Sequence, residues 1–224
     1  MRPSTPRYTA AVIAVLGFAA ASAMAGTIPV TNGNFSTLPK TGLNFPDARG
    51  AYSLGAGIPG WTATGATGQW DPSGVVLGLP AGATYVAYSN GPTISQTVTP
   101  TVVAGDIYTL TVDLGDRTDT KPFSGGADLL IDGVKYDATG TPVLDGWSIY
   151  TATFTGLAAT AGDSITIQLT DSGKQSDFSD VTLTATALAP AGQPGAVTPE
   201  PGTLSLAGLG LLCAMGYALR KSVA

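Results

Sequence analysis

The sequence predicts an all-β protein: an antiparallel two-sheet β-sandwich of jelly-roll type, with a signal peptide in front and a single C-terminal transmembrane helix behind. Three observations predict the sandwich. Apolar and polar residues alternate with period two through the second half of the chain. Among 224 residues there are 30 Gly and 16 Pro, while charged residues make up only 11%, a mix that suits short strands joined by tight turns. No stretch of the body repeats with the helical period of 3.6.

At the front, Arg2 and Arg7 precede an apolar run, Ala10 to Ala21, and then Ala23-Met24-Ala25 before Gly26. A basic start, a short apolar stretch and a small-x-small site make a secretory signal peptide over residues 1–25, with cleavage between Ala25 and Gly26. The run is too short for the roughly 20 residues of a membrane span. The body follows over residues 26–186. Strands are expected at Gly60-Trp61-Thr62, Val75 to Leu77, Thr84 to Tyr88 and Ile94 to Val98. Alternation is clearest from Tyr108 to Leu114, Ile165 to Thr170 and Val181 to Thr184. Leu129 to Tyr136 straddles Asp132-Gly133, a hairpin signal. Trp147 to Phe154 is a further strand whose inward face the sequence does not choose. About eight to ten strands with short turns make a sandwich. Residues 187–198, ALAPAGQPGAVT, read as an extended linker.

The tail, residues 199–224, opens on Pro199-Glu200-Pro201. Residues 202–219 carry no charge, and Arg220 and Lys221 close the run. At about 1.5 Å per residue a helix over 202–219 is roughly 27 Å long, enough for a bilayer core. The basic pair is the membrane stop and holds the C-terminus on the cytoplasmic side. The two prolines keep the preceding step extended, and Glu200 is the only glutamate in the chain.

Motif, apolar helix and basic stop in that order resemble the PEP-CTERM sorting signal. The resemblance implies an exosortase-type processing enzyme as partner, and an exported protein of a polysaccharide-producing Gram-negative bacterium. The precursor is anchored in the inner membrane and the product lies at the cell surface or in the matrix. Two basic residues followed by Ser222-Val223-Ala224 are fewer than the Arg-rich run of many members. The body resembles galactose-binding-like and carbohydrate-binding jelly rolls through NGNF (32–35), IPGW (58–61), ISQTV (94–98), YTLTVDLGDR (108–117) and FSDVTL (178–183). That resemblance implies a structural calcium, with Asn32, Asn34 and Asp180 as oxygen donors. Ser36 stands where the family commonly has an acidic residue.

Composition excludes several chemistries. There is no histidine, so Ser-His-Asp and Cys-His systems are absent. The only cysteine, Cys213, lies in the tail, so the body has no disulfide. The body carries fourteen aspartates against six basic residues, a net charge of −8, which argues against nucleic acid. A glycosidase would need two aspartates, and Asp116 with Asp119 or Asp177 with Asp180 are near in sequence. Aspartate is also a usual turn residue. Sugar binding would use an aromatic face with polar neighbours. The candidates are Trp61, Trp70, Asp71, Asp116 and Arg117, with Trp70 in the most loop-like setting. The expectation is a non-catalytic surface or matrix protein. A carbohydrate-binding module is the first alternative and an Asp-dependent hydrolase the second.

Overall fold

The structure, a computed structural model, describes residues 25–72, 79–117 and 119–188. The expected strand at Val75 to Leu77, nearly all of the signal segment, most of the linker and the whole tail lie outside them. Eleven strands are described: β1 (Ala25–Ile28), β2 (Thr62–Ala63), β3 (Thr67–Trp70), β4 (Val86–Ser89), β5 (Ile94–Thr97), β6 (Asp106–Asp116), β7 (Gly125–Ile131), β8 (Val134–Asp137), β9 (Gly146–Thr155), β10 (Ile165–Asp171) and β11 (Ser176–Ala187). The one helical element among them is a 3-10 turn at Ala158–Thr160. No helix of the described residues is long and apolar enough to cross a membrane.

The strands form two antiparallel sheets. The first runs β3-β4-β11-β6-β9, with β1 also pairing on β11; the second runs β2-β5-β10-β7-β8. This is the expected sandwich. Alternation assigns the faces. Tyr108, Leu110, Val112 and Leu114 of β6 are buried against Ile165, Ile167 and Leu169 of β10 and Leu129 and Ile131 of β7 in one continuous core. The ambiguous strand is settled by register. Leu110 faces Ala152, Val112 faces Tyr150 and Tyr108 faces Phe154, so the even residues of β9 point inward. The hairpin forms at Asp132-Gly133, both with positive φ.

β11 is the central strand of the first sheet and carries one irregularity. Its pairing with β6 slips between Ser179 and Thr182, and Asp180 there has φ of 46°. This β-bulge lets Phe178, Val181 and Leu183 all reach the core, while Asp177, Ser179 and Thr182 face outward. The loop at residues 32–35 lies against the bulge, and Val181 N–H donates to the Gly33 carbonyl at 2.9 Å.

Two boundaries differ from expectation. β1 starts at Ala25, so both residues of the expected cleavage step, Ala25 and Gly26, pair with β11, opposite Thr186 and Ala185. β11 runs through Ala187, and Leu188 N–H donates to Gly105 O at 2.8 Å, so the sheet continues past the expected linker start.

Phe178 is fully buried and faces Leu114 across the central pair. Phe178→Ala is expected to cost about 3–5 kcal/mol, read as a lower urea midpoint with little change in slope.

Candidate active site

Among the described residues, one end of the outer face of the first sheet is covered by a strap. Register places Gly68, Tyr88, Asp177, Gly115 and Trp147 in one cross-strand row over β3, β4, β11, β6 and β9. Directly opposed residues share a face, so all five look outward. Trp70 and Val86 face each other one step along. Further along the face the row becomes threonine: Thr182 and Thr151 both oppose Thr111, and the Thr111 and Thr182 hydroxyls lie 2.5 Å apart.

A strap, residues 45–55, covers the tryptophan end. Phe45 and Tyr52 form an antiparallel bridge, and Tyr52 bridges Trp70. Ser53 N–H donates to Gln69 O at 2.8 Å and Asp71 N–H to Ala51 O at 3.0 Å. The Tyr88 hydroxyl donates to Ser53 O at 2.7 Å. Two glycines permit this closeness. A Cβ on Gly68 would lie 1.9 Å from Ser53 O, and one on Gly50, at φ 121°, would lie 1.7 Å from Asp71 O. Tyr52 meets Tyr88 edge-on at 6.2 Å and stacks on Phe45 at 5.3 Å.

Strap and sheet enclose a cleft of about 290 Å³, lined by Tyr52, Trp70, Tyr88, Arg117, Asn90 and Gln175, among others. Asp47 and Arg49 stand on the strap side of it. The Arg117 guanidinium lies 4.6 Å from the Trp70 ring centroid and is only 3% exposed. It is held by a fork to Asp119, Nε to Oδ1 at 2.9 Å and Nη2 to Oδ2 at 2.8 Å. Arg49 reaches the same carboxylate at 3.3 Å. Arg117's hydrogen bonds, with the charges of both arginines, hold the Asp119 carboxyl below its ordinary value.

Behind Arg117 and Gln175 sits Asp177, 0% exposed. Gln175 Nε2 donates to its Oδ1 at 3.2 Å. Its Oδ2 has no hydrogen bond; Arg117 Nε is 4.0 Å away. Burial raises its pKa to about 7 from 3.8. Arg117 and Gln175 oppose the rise, and the charges of Asp119 and Asp171 add to it. Asp171 is a satisfied carboxylate, accepting from Ser124 and Ser176 hydroxyls at 2.5 and 2.9 Å and from Gly91 and Gly173 N–H at 2.8 and 3.0 Å. The site therefore offers a carboxylic acid that stays neutral in weak acid, next to a half-apolar cleft with aromatic walls.

The expected site residues divide. Trp70 and Arg117 come together in the cleft. Trp70 corrects the expectation of an exposed loop tryptophan: it ends β3 and is 4% exposed, because the strap and Arg117 cover it. Trp61 is a core residue packed at 5.4 Å against Phe35 with the rings tilted by 39°, its Nε1–H donating to Asn32 O at 3.3 Å. Asp71 holds the strap through its backbone and does not line the cleft. Asp116 is buried and paired to Lys121 at 2.9 Å. Asp119 is likewise spent on arginines, so neither member of the first aspartate pair is a free acid.

Asn32 Oδ1 accepts from Thr37 N–H at 2.9 Å, and Asn34 Oδ1 accepts from Ser36 N–H and Oγ–H at 3.2 and 2.9 Å. Asp180 is then the only carboxylate of the three. Among the described residues no three Asp, Glu, His or Cys gather in one place. Of the second aspartate pair, Asp177 is buried beside the cleft and Asp180 sits at the bulge; sequence reasoning missed the strap residue Tyr52 and Tyr88.

The HpiC1 cyclase family model matches residues 26–184, which is nearly the whole described body. The chain belongs to the HpiC1 cyclase-like family. A Stig cyclase, Fisc from Fischerella sp. TAU, in complex with (3Z)-3-(1-methyl-2-pyrrolidinylidene)-3H-indole, matches with a TM-score of 0.60 and 21% identity over 74% of this chain and 100% of that one. An apo cyclase from Fischerella sp. matches with TM-score 0.60 and 20% identity, over 73% and 98%. At that identity they speak for the fold. The CBM22-1 xylan-binding domain from Paenibacillus barcinonensis Xyn10C matches at TM-score 0.42 and 13% identity over 64% of this chain and 100% of that one. Among curated proteins nothing matches. The PEP-CTERM protein-sorting motif matches residues 197–222, as its resemblance implied, and carries the implication of export. Membership of a cyclase family overturns the expectation of a non-catalytic body. That expectation rested on missing histidine, cysteine and glutamate, and none of them lines the cleft of this HpiC1-like chain.

The raised carboxyl has a consequence for stability. Folded Asp177 keeps a proton between about pH 4 and about pH 7 that the unfolded chain releases. Stability from this group is therefore full below pH 4 and is lost as pH rises through that window. Asp113 and Asp180 are also raised by burial, Asp113 further by the charge of Asp180, and act in the same direction. Asp177→Asn isolates the one group. Between about pH 5 and about pH 8 its melting temperature is expected to fall less than that of the wild type; parallel curves would show that Asp177 does not titrate there.

Proposed function

We propose that the body is a small-molecule cyclase whose active site is the strap-covered cleft, with Asp177 as its acid. The observation that carries this is the buried, incompletely hydrogen-bonded carboxyl behind an aromatic-lined cavity. Family membership supports the reaction class. The substrate class is a neutral, π-rich molecule with an alkene or electron-rich ring. Tyr52, Trp70 and Tyr88 supply apolar and quadrupolar walls for it, and the volume is near the low end of small-molecule sites, roughly 300–1,000 Å³. The Fischerella cyclase with its indole ligand supports an aromatic substrate.

The chemistry is an isomerisation. The Asp177 O–H gives its proton to a substrate carbon or nitrogen, leaving a carboxylate on the protein and a cation delocalised over the substrate. A π bond of the same molecule attacks that cation and forms the ring bond. The carboxylate then takes a proton from the new cation, restoring the acid. Proton and electron count are unchanged overall. Direct contact requires the Arg117 guanidinium to move off the carboxyl. The aromatic faces shield the cation while water is excluded.

We also propose that an exosortase-type enzyme handles the tail at Pro199-Glu200-Pro201 and that membrane helix 202–219 holds the precursor until then. The folded body then reaches the cell surface or polysaccharide matrix. The matched sorting motif supports this.

The test is mass-neutral conversion. Purified protein is incubated with 3-alkenylindoles, and products of identical mass but shifted retention are sought by chromatography with NMR. Wild type is expected to give a cyclised isomer and Asp177→Asn to lose it by about 10²-fold or more, with substrate still quenching Trp70 fluorescence. Equal turnover by Asp177→Asn would remove Asp177 from the mechanism.

A further inference from the structure

Asp177 is a useful acid only if it lacks a close counter-ion, yet a buried arginine lies beside it. The separation is specific: Arg117 Nε is 4.0 Å from Asp177 Oδ2 but 2.9 Å from Asp119 Oδ1, and its Nη2 is 2.8 Å from Asp119 Oδ2. The guanidinium is planar and its fork matches one carboxylate at a time. Asp119 has taken that fork. Arg49, from the strap, braces Asp119 from the other side at 3.3 Å, and Trp70 backs the guanidinium plane.

We infer that Asp119 is a positioning residue: by holding the Arg117 guanidinium in a bidentate fork, it denies Asp177 the ion pair that would strip its proton. The inference deepens, and rests on, the reading of Asp177 as the acid. Asp119 never needs to touch substrate. It gives the cation another carboxylate to stay on, both at rest and when Arg117 clears the way for substrate.

The groups around Asp177 leave this role to Asp119. From β4, Tyr88 presents a hydroxyl already donated to Ser53 O. From β10, Asp171 is fixed by four donors. The turn before β11 supplies the neutral amide of Gln175. The strap supplies Arg49, which is committed to Asp119, and Asp47, whose Oδ1 accepts from Arg49 N–H at 2.8 Å. Asp116, next to Arg117 in sequence, is paired to Lys121. Arg117 is the cation in reach of Asp177, and Asp119 is the group that decides where it points. Removing the Asp119 charge acts twice in the same direction: a repelling anion is lost, and the guanidinium is released towards Asp177.

The experiment follows aspartate carboxyl carbons by ¹³C NMR in the full chain, in mild detergent, across pH. Wild type is expected to show one carboxyl titrating near neutrality, absent from Asp177→Asn. In Asp119→Asn that titration is expected to move down by about one unit or more, and the acid-dependent isomerisation with it. Asp119→Glu, which keeps a carboxylate for the fork, is expected to restore the wild-type curve. Arg117→Gln is expected to move the Asp177 titration upward, and so reads the same coupling if Asp119→Asn folds poorly. An unchanged Asp177 titration in Asp119→Asn, or in Arg117→Gln, overturns the role of Asp119 while leaving Asp177 as the acid. Absence of any near-neutral carboxyl in wild type overturns both.

Discussion

One extra residue in β11 decides which way the centre of the first sheet faces. Asp177 and Thr182 are five residues apart, an odd number, so in a regular strand they would lie on opposite faces. The bulge at Asp180 absorbs one residue, and both look outward. Phe178 and Leu183 can then both serve the core. Without the bulge, either half of β11 would carry its apolar side chains into water. The left-handed backbone at Asp180 is favoured by nothing local beyond the tolerance of aspartate for that region. It is held by tertiary structure, through the loop at residues 32–35 and the bond from Val181 to Gly33. The N-terminal segment is pinned in turn by Gln96, which bonds Thr31 and Gly60. Residues far from the cleft thus fix the orientation of its acid.

The acid is then made by what covers it. A carboxylate in water needs no partner; one taken fully out of water must either find a cation or stay protonated. The strap and Arg117 remove the water. The cation lies 4.0 Å away and makes no hydrogen bond to the carboxyl, so burial outweighs its charge and favours the neutral acid. Two adjacent carboxyls consequently behave in opposite ways. Asp119, partly solvated and gripped by arginines, is held below its ordinary pKa, while burial pushes Asp177 up to about 7. Environments that push two like groups apart mark the proton donor of a site.

Much of the sandwich was legible because its strands are half-buried. In β6 and β10 strict alternation follows from one face meeting the core and the other water. β3 was not legible for the complementary reason. Thr67, Gly68, Gln69 and Trp70 are all buried, since the strap covers the outer face and Gln69 is tied inward to Phe35 O and Thr37 O at 2.6 and 2.9 Å. A strand buried on both sides has no period to read, and Trp70 therefore looked like part of a loop. The strap itself is held by backbone bonds and by two glycine contacts, which leave no mark in hydropathy. Trp70 and Arg117 were both among five candidate ligand-binding residues, but the sequence could not show that the guanidinium lies over the indole ring.

Asp177 was named from the sequence only as half of an Asp177/Asp180 glycosidase pair. Nothing in QSDFSD distinguishes it from an ordinary turn aspartate, because its raised pKa comes from burial by other parts of the fold, with the charges of Asp119 and Asp171 adding to it. The inventory of catalytic residue types misled for the same reason. Hydrolysis by a side-chain nucleophile needs a base to activate it, and glycoside cleavage needs two carboxyls, so a body without histidine, cysteine or glutamate looks inert. Ring closure of a π-rich molecule asks for less. The nucleophile and electrophile are both in the substrate, and the protein has only to lend one proton, take one back and keep water off the cation between. A single carboxyl suffices if its surroundings hold it neutral, and the material for that is packing, which a residue count does not record.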